Sequence, residues 1–365
     1  MERMSSARDR YFMRNALNIS LRGIGNTYPN PSVGAVIVKN NQIISRGWTQ
    51  PGGKPHAEIV ALNKNKEKNN NAVLYTTLEP CSHFGKTSPC VDAIIKSKIK
   101  RVVIAIQDPN PQVNGISIKK LKKNNVQVKV GVLKREAENI NLGFFKKITK
   151  NQININTKIA TSKNGKMTNP NNKWITSELA RSYGHFLRAK HDAIVSGINT
   201  IMKDDPLLDC RLPGMKKFSP IRVIFDTKLK IKKDLRVVKT AKTFKTIIFT
   251  KNQSNKMKIN MLKRKGLKII FINNTKNSID IKEAINYLIK IGINNVLLET
   301  GPKLNKSFFN YNLINKIFHF ESKQNIKLGG ISFYKVLKIN KIKDLKFKIN
   351  SYKDLINDNF ITYTK

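Results

Sequence analysis

Four residues in the first quarter of the chain have the types and spacing needed for metal-assisted hydrolysis. His56 and Glu58 stand two apart in Pro55-His56-Ala57-Glu58, Cys81 follows Leu78-Glu79-Pro80, and Cys90 follows Ser88-Pro89. One imidazole and two thiolates can hold Zn2+ and leave its fourth position open for water. The metal brings the pKa of that water to about 7. A carboxylate that stays off the metal, here Glu58, can then carry protons between the attacking water and a leaving group.

H-x-E followed by P-C-x-x-C is the pattern of zinc deaminases, with the Glu as acid/base. His56-Ala57-Glu58 and Pro80-Cys81 fit it. Eight residues, 82–89, separate the two cysteines where that pattern has two. The insert Ser82-His83-Phe84-Gly85-Lys86-Thr87-Ser88-Pro89 resembles that of the pyrimidine deaminases of riboflavin biosynthesis, which points to a small-molecule substrate and away from RNA.

The elements that must position these residues are legible nearby. Two cysteines and a histidine scattered along a chain are ordinarily core thiols and a surface imidazole. Here residues 57–62 read as a helix, 72–78 as a strand ending at Glu79-Pro80, and 91–95 as a second helix with Cys90 at its start. The positive end of a helix dipole favours thiolate.

The whole chain sets wider bounds. Its 365 residues predict two domains. No apolar run approaches the roughly 20 residues of a membrane span. Residues 1–23 carry five arginines and could pass for a transit peptide. Tyr11, Met13, Ala16, Leu17 and Leu21 make them an amphipathic first helix instead. Of three cysteines, Cys210 is left over if Cys81 and Cys90 bind metal. No disulfide framework then exists, which suits the cytoplasm. Lys+Arg outnumber Asp+Glu by 69 to 23, a net charge of +46. The lysines are spread over every loop and helix beside abundant Asn and Ile, so they predict no specific nucleic-acid partner. They should attract anionic, phosphorylated substrates.

Taken in order, Pro29-Asn30-Pro31 is a rigid turn before a buried strand at 33–38, and Asn30 is a candidate base contact. A hairpin through Asn40-Asn41-Gln42 follows. Strand 101–106, helix 116–124 and strand 126–130 complete an alternating α/β layered pattern. Residues 136–150 read as one Lys-rich helix closing a first domain, 1–148. The alternation of 153–160 opens a second, 151–365. In it, Ser177 or Thr176 caps a helix. Residues 193–197, 221–226, 246–250 and 295–299 are buried-type strands. Thr300-Gly301-Pro302 feeds a helix start, a ready anion site though not a G-x-G-x-x-G turn.

Residues 5–147 resemble the deaminase half of the RibD family of bifunctional riboflavin biosynthesis enzymes. The resemblance rests on Thr27-Tyr28-Pro29-Asn30-Pro31, His56-Ala57-Glu58, the 78–90 block and Gln107-Asp108-Pro109-Asn110-Pro111. It implies a cytidine-deaminase-like three-layer domain with zinc on His56, Cys81 and Cys90, and Glu58 as proton donor. The implied substrate is a diaminopyrimidinone bearing a phosphoribosylamino group. Residues from about 151 to 330 resemble the family's reductase half, which implies a dihydrofolate-reductase-like fold and NADPH. The resemblance places cofactor contacts at Ala160, Trp174, Thr200, Asp204, Thr227 and Gly301, Pro302, Lys303, Leu304, Asn305, Lys306 and Ser307. It places substrate contacts at Asn172, Arg188, Leu208, Arg211 and Glu299, and implies hydride transfer to ribose C1′ and a homo-oligomer formed through the reductase half.

The family's A-S-L-D-G-K is Thr161-Ser162-Lys163-Asn164-Gly165-Lys166 here, Asn172 stands where Ser is common, and the usual apolar run near 320–330 is polar. Two other readings stand beside the bifunctional enzyme. One is an RNA- or nucleoside-directed zinc deaminase. The other is a deaminase carrying a degenerate, structural reductase half.

Overall fold

The computed structural model describes residues 2–84, 88–172, 174–251, 253, 255–272, 278–327 and 329–365. Gly85, Lys86 and Thr87 of the insert between the cysteines, and Leu328 of the polar run, lie outside them. The chain divides into two compact units, Met1–Gln152 and Ile153–Lys365.

The first unit is built on a five-stranded sheet. Its strands are β1 (Gly34–Lys39), β2 (Gln42–Trp48), β3 (Val73–Thr76), β4 (Arg101–Ile104) and β5 (Gln127–Val130), in the order β2-β1-β3-β4-β5. The β1–β2 and β1–β3 pairs are antiparallel, and β3, β4 and β5 run parallel. Two glycines show how the layers form. Ala35 is the register partner of Gly47, so Gly34 and Gly47 face opposite sides of the sheet. A Cβ on Gly34 would strike the Ala16 carbonyl of helix Glu2–Ser20, and one on Gly47 would strike the backbone of helix Ala57–Lys64. Helices thus press on both faces, giving three layers.

The sequence predicts one helix over 136–150, but two form, Lys134–Ile140 and Leu142–Lys150. The break is at Asn141, whose buried amide clasps Ser32. Its Oδ1 accepts from Ser32 N at 2.8 Å, and its Nδ2 donates to Ser32 O at 2.9 Å. An asparagine that leaves the helical path gains two hydrogen bonds to a segment 109 residues away in sequence.

The second unit has nine strands: β6 (Asn154–Thr161), β7 (Ala193–Gly197), β8 (Ile221–Phe225), β9 (Thr246–Thr250), β10 (Leu267–Phe271), β11 (Asn295–Leu298), β12 (Lys316–Ser322), β13 (Lys348–Asp354) and β14 (Asp358–Thr364). Their order is β10-β9-β8-β7-β11-β6-β12-β14-β13. The sheet is parallel from β10 to β12, and the last two pairings are antiparallel. Strands β7, β8 and β9 are the apolar runs expected of parallel strands covered on both faces. In helix Glu178–Ala189, Ser177 caps the N-terminus by accepting from Ala180 N. The turn with the altered motif is self-consistent. Asn164 Oδ1 accepts from Ser162 Oγ at 2.6 Å and Ile326 N at 3.2 Å, so its amide tethers the segment after β12.

Candidate functional sites

In the first unit, His56 is the N-cap residue of helix Ala57–Lys64, and Cys90 opens helix Cys90–Lys96. Cys81 lies in the loop after β3. His56 Nδ1 is 3.3 Å from Cys90 Sγ and 3.5 Å from Cys81 Sγ, and the three ligand atoms all lie within 4.8 Å of one another. Tetrahedral zinc bonds of about 2.0–2.3 Å set ligand–ligand edges of roughly 3.5–3.8 Å. Two thiols and an imidazole at this spacing fit zinc, and among the described residues no other group of three His, Cys, Asp or Glu does so.

The backbone N–H of Cys90 donates to Cys81 Sγ at 3.2 Å. The Cys90 thiol, this N–H and His56 all favour charge on Cys81 and hold its pKa down to about 4, against the opposing effect of burial. The Cys81 contact in turn raises His56. The Cys81 contact, together with burial, pushes the Cys90 thiol up.

Glu58 is buried beside these ligands and outside the set. Its Oε1 accepts from Thr76 Oγ1 at 3.2 Å. Burial raises its pKa, with the neighbouring His56 charge opposing. The carboxyl is thereby moved toward the range in which it can both take and give a proton. A cavity of about 200 Å3 opens over His56, Glu58 and Cys81, walled in part by Asn30, Lys54, His83, Asp108, Asn110 and Phe144. Asn30 Nδ2 donates to Gly53 O at 2.9 Å. Asp108 has its pKa pushed up to about 6, chiefly by burial. In the sequence Asp108 and Asn110 stand only within the Gln107–Pro111 stretch that carries the family resemblance, and Phe144 within a Lys-rich helix, with no site role marked for any of the three.

In the second unit, Arg188 and Glu299 are brought together in a two-point salt bridge. Nε donates to Oε1 at 2.7 Å and Nη2 to Oε2 at 2.9 Å, with the side chains 15% and 12% exposed. Burial alone would raise Glu299, but Arg188 outweighs it and holds the carboxyl at about 2. Arg188 Nη1 also donates to the carbonyl of Asp209 at 3.0 Å, and the Asp209 carboxylate accepts from Arg211 Nη1 at 2.8 Å. Leu208 is buried in the same loop with φ +54°. Lys158, absent from the sequence-derived set, faces this cluster. Burial lowers its pKa, while Glu299 pulls it up. In sequence it is one more polar residue in an alternating strand.

The expected cofactor residues fall into two groups. Thr200 Oγ1 lies 3.4 Å from where a Gly301 Cβ would be, and Leu304 packs against Gly197, so the starts of helices Ile198–Asp204 and Pro302–Asn310 are adjacent. Gly301 caps the latter without a side-chain bond, leaving its first N–H groups without a side-chain acceptor. Asn305 is fully buried and exchanges hydrogen bonds with Thr157, and Ser307 Oγ donates to Lys303 O. Pro302 and Lys306 are half-buried on this helix, and Asp204 is exposed at the end of the other.

The second group is more dispersed. Trp174 is half-exposed under the Arg181 guanidinium at 4.7 Å, and its N–H donates to Asn172 Oδ1. Ala160 sits on β6, and Thr227 follows β8, its carbonyl accepting from Lys251 N at 3.1 Å.

Comparison with known proteins matches a known family to each of the two units. Residues 154–321 match the RibD C-terminal domain, and residues 6–106 match the cytidine and deoxycytidylate deaminase zinc-binding region. The chain is 36% identical to the riboflavin biosynthesis protein RibD of Aquifex aeolicus, over 95% of this chain and 97% of that one. It is 34% identical to the Escherichia coli protein of the same name, over 85% and 86%. Acinetobacter baumannii RibD superposes with TM-score 0.87 at 29% identity, covering 98% and 99%. A Thermotoga maritima structure described as a diaminohydroxyphosphoribosylaminopyrimidine deaminase/5-amino-6-(5-phosphoribosylamino)uracil reductase gives 0.85 at 29%, covering 99% of each.

Proposed function

The chain belongs to the RibD family of riboflavin biosynthesis enzymes, and from that premise we propose how its own residues divide two successive reactions on one phosphorylated pyrimidine. It is a bifunctional enzyme, a zinc-dependent deaminase and an NADPH-dependent reductase. The observation that carries the residue-level reading is the convergence of His56, Cys81 and Cys90 with Glu58 buried beside them.

His56, Cys81 and Cys90 would hold zinc, which would lower the pKa of a water so that hydroxide is available near neutral pH to add to the amine-bearing ring carbon. Glu58 takes the proton from that water and delivers it to the leaving amine, which departs as ammonia. Thr76 holds the carboxyl in place. Phe144 and Asn30 line the wall that receives the ring, with Asn30 Oδ1 the acceptor for a ring or exocyclic N–H.

In the second unit, bound NADPH would supply the hydride that reduces ribose C1′ and gives a ribityl chain. Helix start Gly301–Ser307 with Thr200 receives the cofactor's phosphates. Trp174, Asp204, Thr227 and Ala160 complete that wall. Arg188 and Arg211 bind the substrate with Asn172, Leu208 and Glu299, and guanidinium forks suit its phosphate. Lys158 supplies the proton taken by the ring oxygen as the C1′–O bond breaks. Subunits associate through this unit, a reading supported by β13, whose outer edge is unpaired and whose seven residues are all exposed. The reaction is placed in the cytoplasm, consistent with three free cysteines.

The deciding assay measures ammonia release and NADPH consumption on the diaminopyrimidinone substrate, with and without a chelator. Ammonia release that survives complete zinc removal would sink the deaminase assignment. NADPH that is never oxidised on supplied deaminated substrate would sink the reductase assignment.

A further inference from the structure

Arg222 is fully buried at the start of β8, where the strand is otherwise apolar. Its five N–H donors face five acceptors: Thr246 Oγ1, 2.9 Å from Nε, Leu207 O at 3.1 Å, Thr240 Oγ1 at 2.8 Å, and Val237 O and Phe244 O, both at 2.9 Å. No carboxylate hydrogen-bonds to it among the described residues. The guanidinium also lies 5.4 Å from the Phe244 ring centroid. Burying a cation with no ion-pair partner is unfavourable, and a methionine of similar length would pack there more cheaply. What arginine adds is direction, since its rigid planar fork fixes several acceptors at once.

Those acceptors belong to three separate segments: the loop after helix Ile198–Asp204, the short helix Arg236–Lys239 with Thr240, and the approach to β9. Arg236 N donates to Asp205 Oδ1 at 2.8 Å, a second tie between the first two. The loop is the one that carries the substrate residues. Leu207 O is held by Arg222, Leu208 follows with φ +54°, and the Asp209 carbonyl then accepts from Arg188 and the Asp209 carboxylate from Arg211. A left-handed leucine persists only where its surroundings fix it.

We propose that Arg222 is a positioning residue of the reductase. By holding the Leu207 carbonyl it sets the 205–211 loop, and through it Arg188 and Arg211, in the arrangement that receives the substrate. This rests on the reductase reading above.

The test uses the full chain carrying Arg222→Lys, Arg222→Met or Thr240→Val, with KM and kcat measured separately for the pyrimidine substrate and for NADPH. Ammonia release by the same molecules reports the intact first unit. Arg222→Lys, whose three N–H donors cannot serve all five acceptors, is expected to raise the pyrimidine KM about tenfold or more, the size of the lost hydrogen bond to the Leu207 carbonyl. The NADPH KM and ammonia release should stay unchanged. Thr240→Val, which removes one member of the cage, should raise the same KM less. If the arginine variants fail to fold, Thr240→Val decides alone. An unmoved pyrimidine KM, with only the unfolding midpoint lowered, overturns the inference and leaves Arg222 a stability strut. If the unaltered chain itself oxidises no NADPH, the reductase reading fails first and takes this inference with it.

Discussion

Arg188 and Glu299, 111 residues apart, meet through two parallel N–H···O bonds of 2.7 and 2.9 Å, each side chain mostly out of water. Each was expected to contact substrate, and in the free enzyme each is engaged by the other. The charge of the pair is balanced within it, and Arg211 is likewise paired with the Asp209 carboxylate.

This pairing makes stability pH-dependent in a defined window. Glu299 titrates at about 2 in the folded chain against an ordinary 4.5. Its folded pKa is the lower one, so its contribution is fully present above about pH 4.5 and is lost as pH falls toward 2. The difference corresponds to about 3 kcal/mol at 1.36 kcal/mol per unit. Unfolding of the second unit followed from pH 6 to 2 should weaken steeply below 4.5. Glu299→Gln should flatten that slope while lowering stability at pH 7. An unchanged slope in the variant would contradict the pairing.

Glu58→Gln should cut ammonia release by about a hundredfold or more, the usual range for a lost general acid/base. NADPH oxidation on supplied deaminated substrate should continue at the unaltered rate. Loss of both activities would mean that the two sites are not independent.

Metal content gives a third check. The pure chain should carry one zinc per molecule by elemental analysis. Cys90→Ser should lose most of it, because the buried Cys90 sulfur lies 3.3 Å from His56 Nδ1 in the three-residue group that could hold the ion. A variant that keeps full zinc would exclude Cys90 as a ligand.

In the first unit, Asp9 is completely buried and accepts from Arg101 at 2.8 and 2.9 Å, Lys129 at 2.8 Å and Tyr75 at 3.0 Å. Asp9→Ala leaves Arg101 without its anion at the junction of the first helix and the sheet, and should destabilise the first unit by roughly 3–5 kcal/mol. On gentle heating, ammonia release should then fail before NADPH oxidation does. Equal loss of the two would argue against a local effect.

The deaminase centre was legible because its parts are local. His56 and Glu58 share one helix start, and Cys90 begins the next helix, so spacing alone conveys geometry. The second unit hides its chemistry in long-range contacts. Lys158 reads as ordinary strand alternation, and Arg222 reads as an interruption in an apolar run, until folding places acceptors from three segments around it. The break at Asn141 was also invisible. Helix propensity runs through it, and only the distant Ser32 explains why the backbone departs there. Strand β13 was missed for a different reason. All seven of its residues face water, so no apolar pattern marks it.

The clasp of Asn141 on Ser32 bears on how the gene could be cut. Ser32 lies two residues beyond Asn30, and Phe144 of the following helix lines the same cavity. A fragment ending before residue 141 would keep His56, Cys81 and Cys90 yet lose both the clip beside the Pro29–Asn30–Pro31 corner and the Phe144 wall of the cavity. Dissection into separately expressed halves therefore has to leave the Leu142–Lys150 helix with the N-terminal piece.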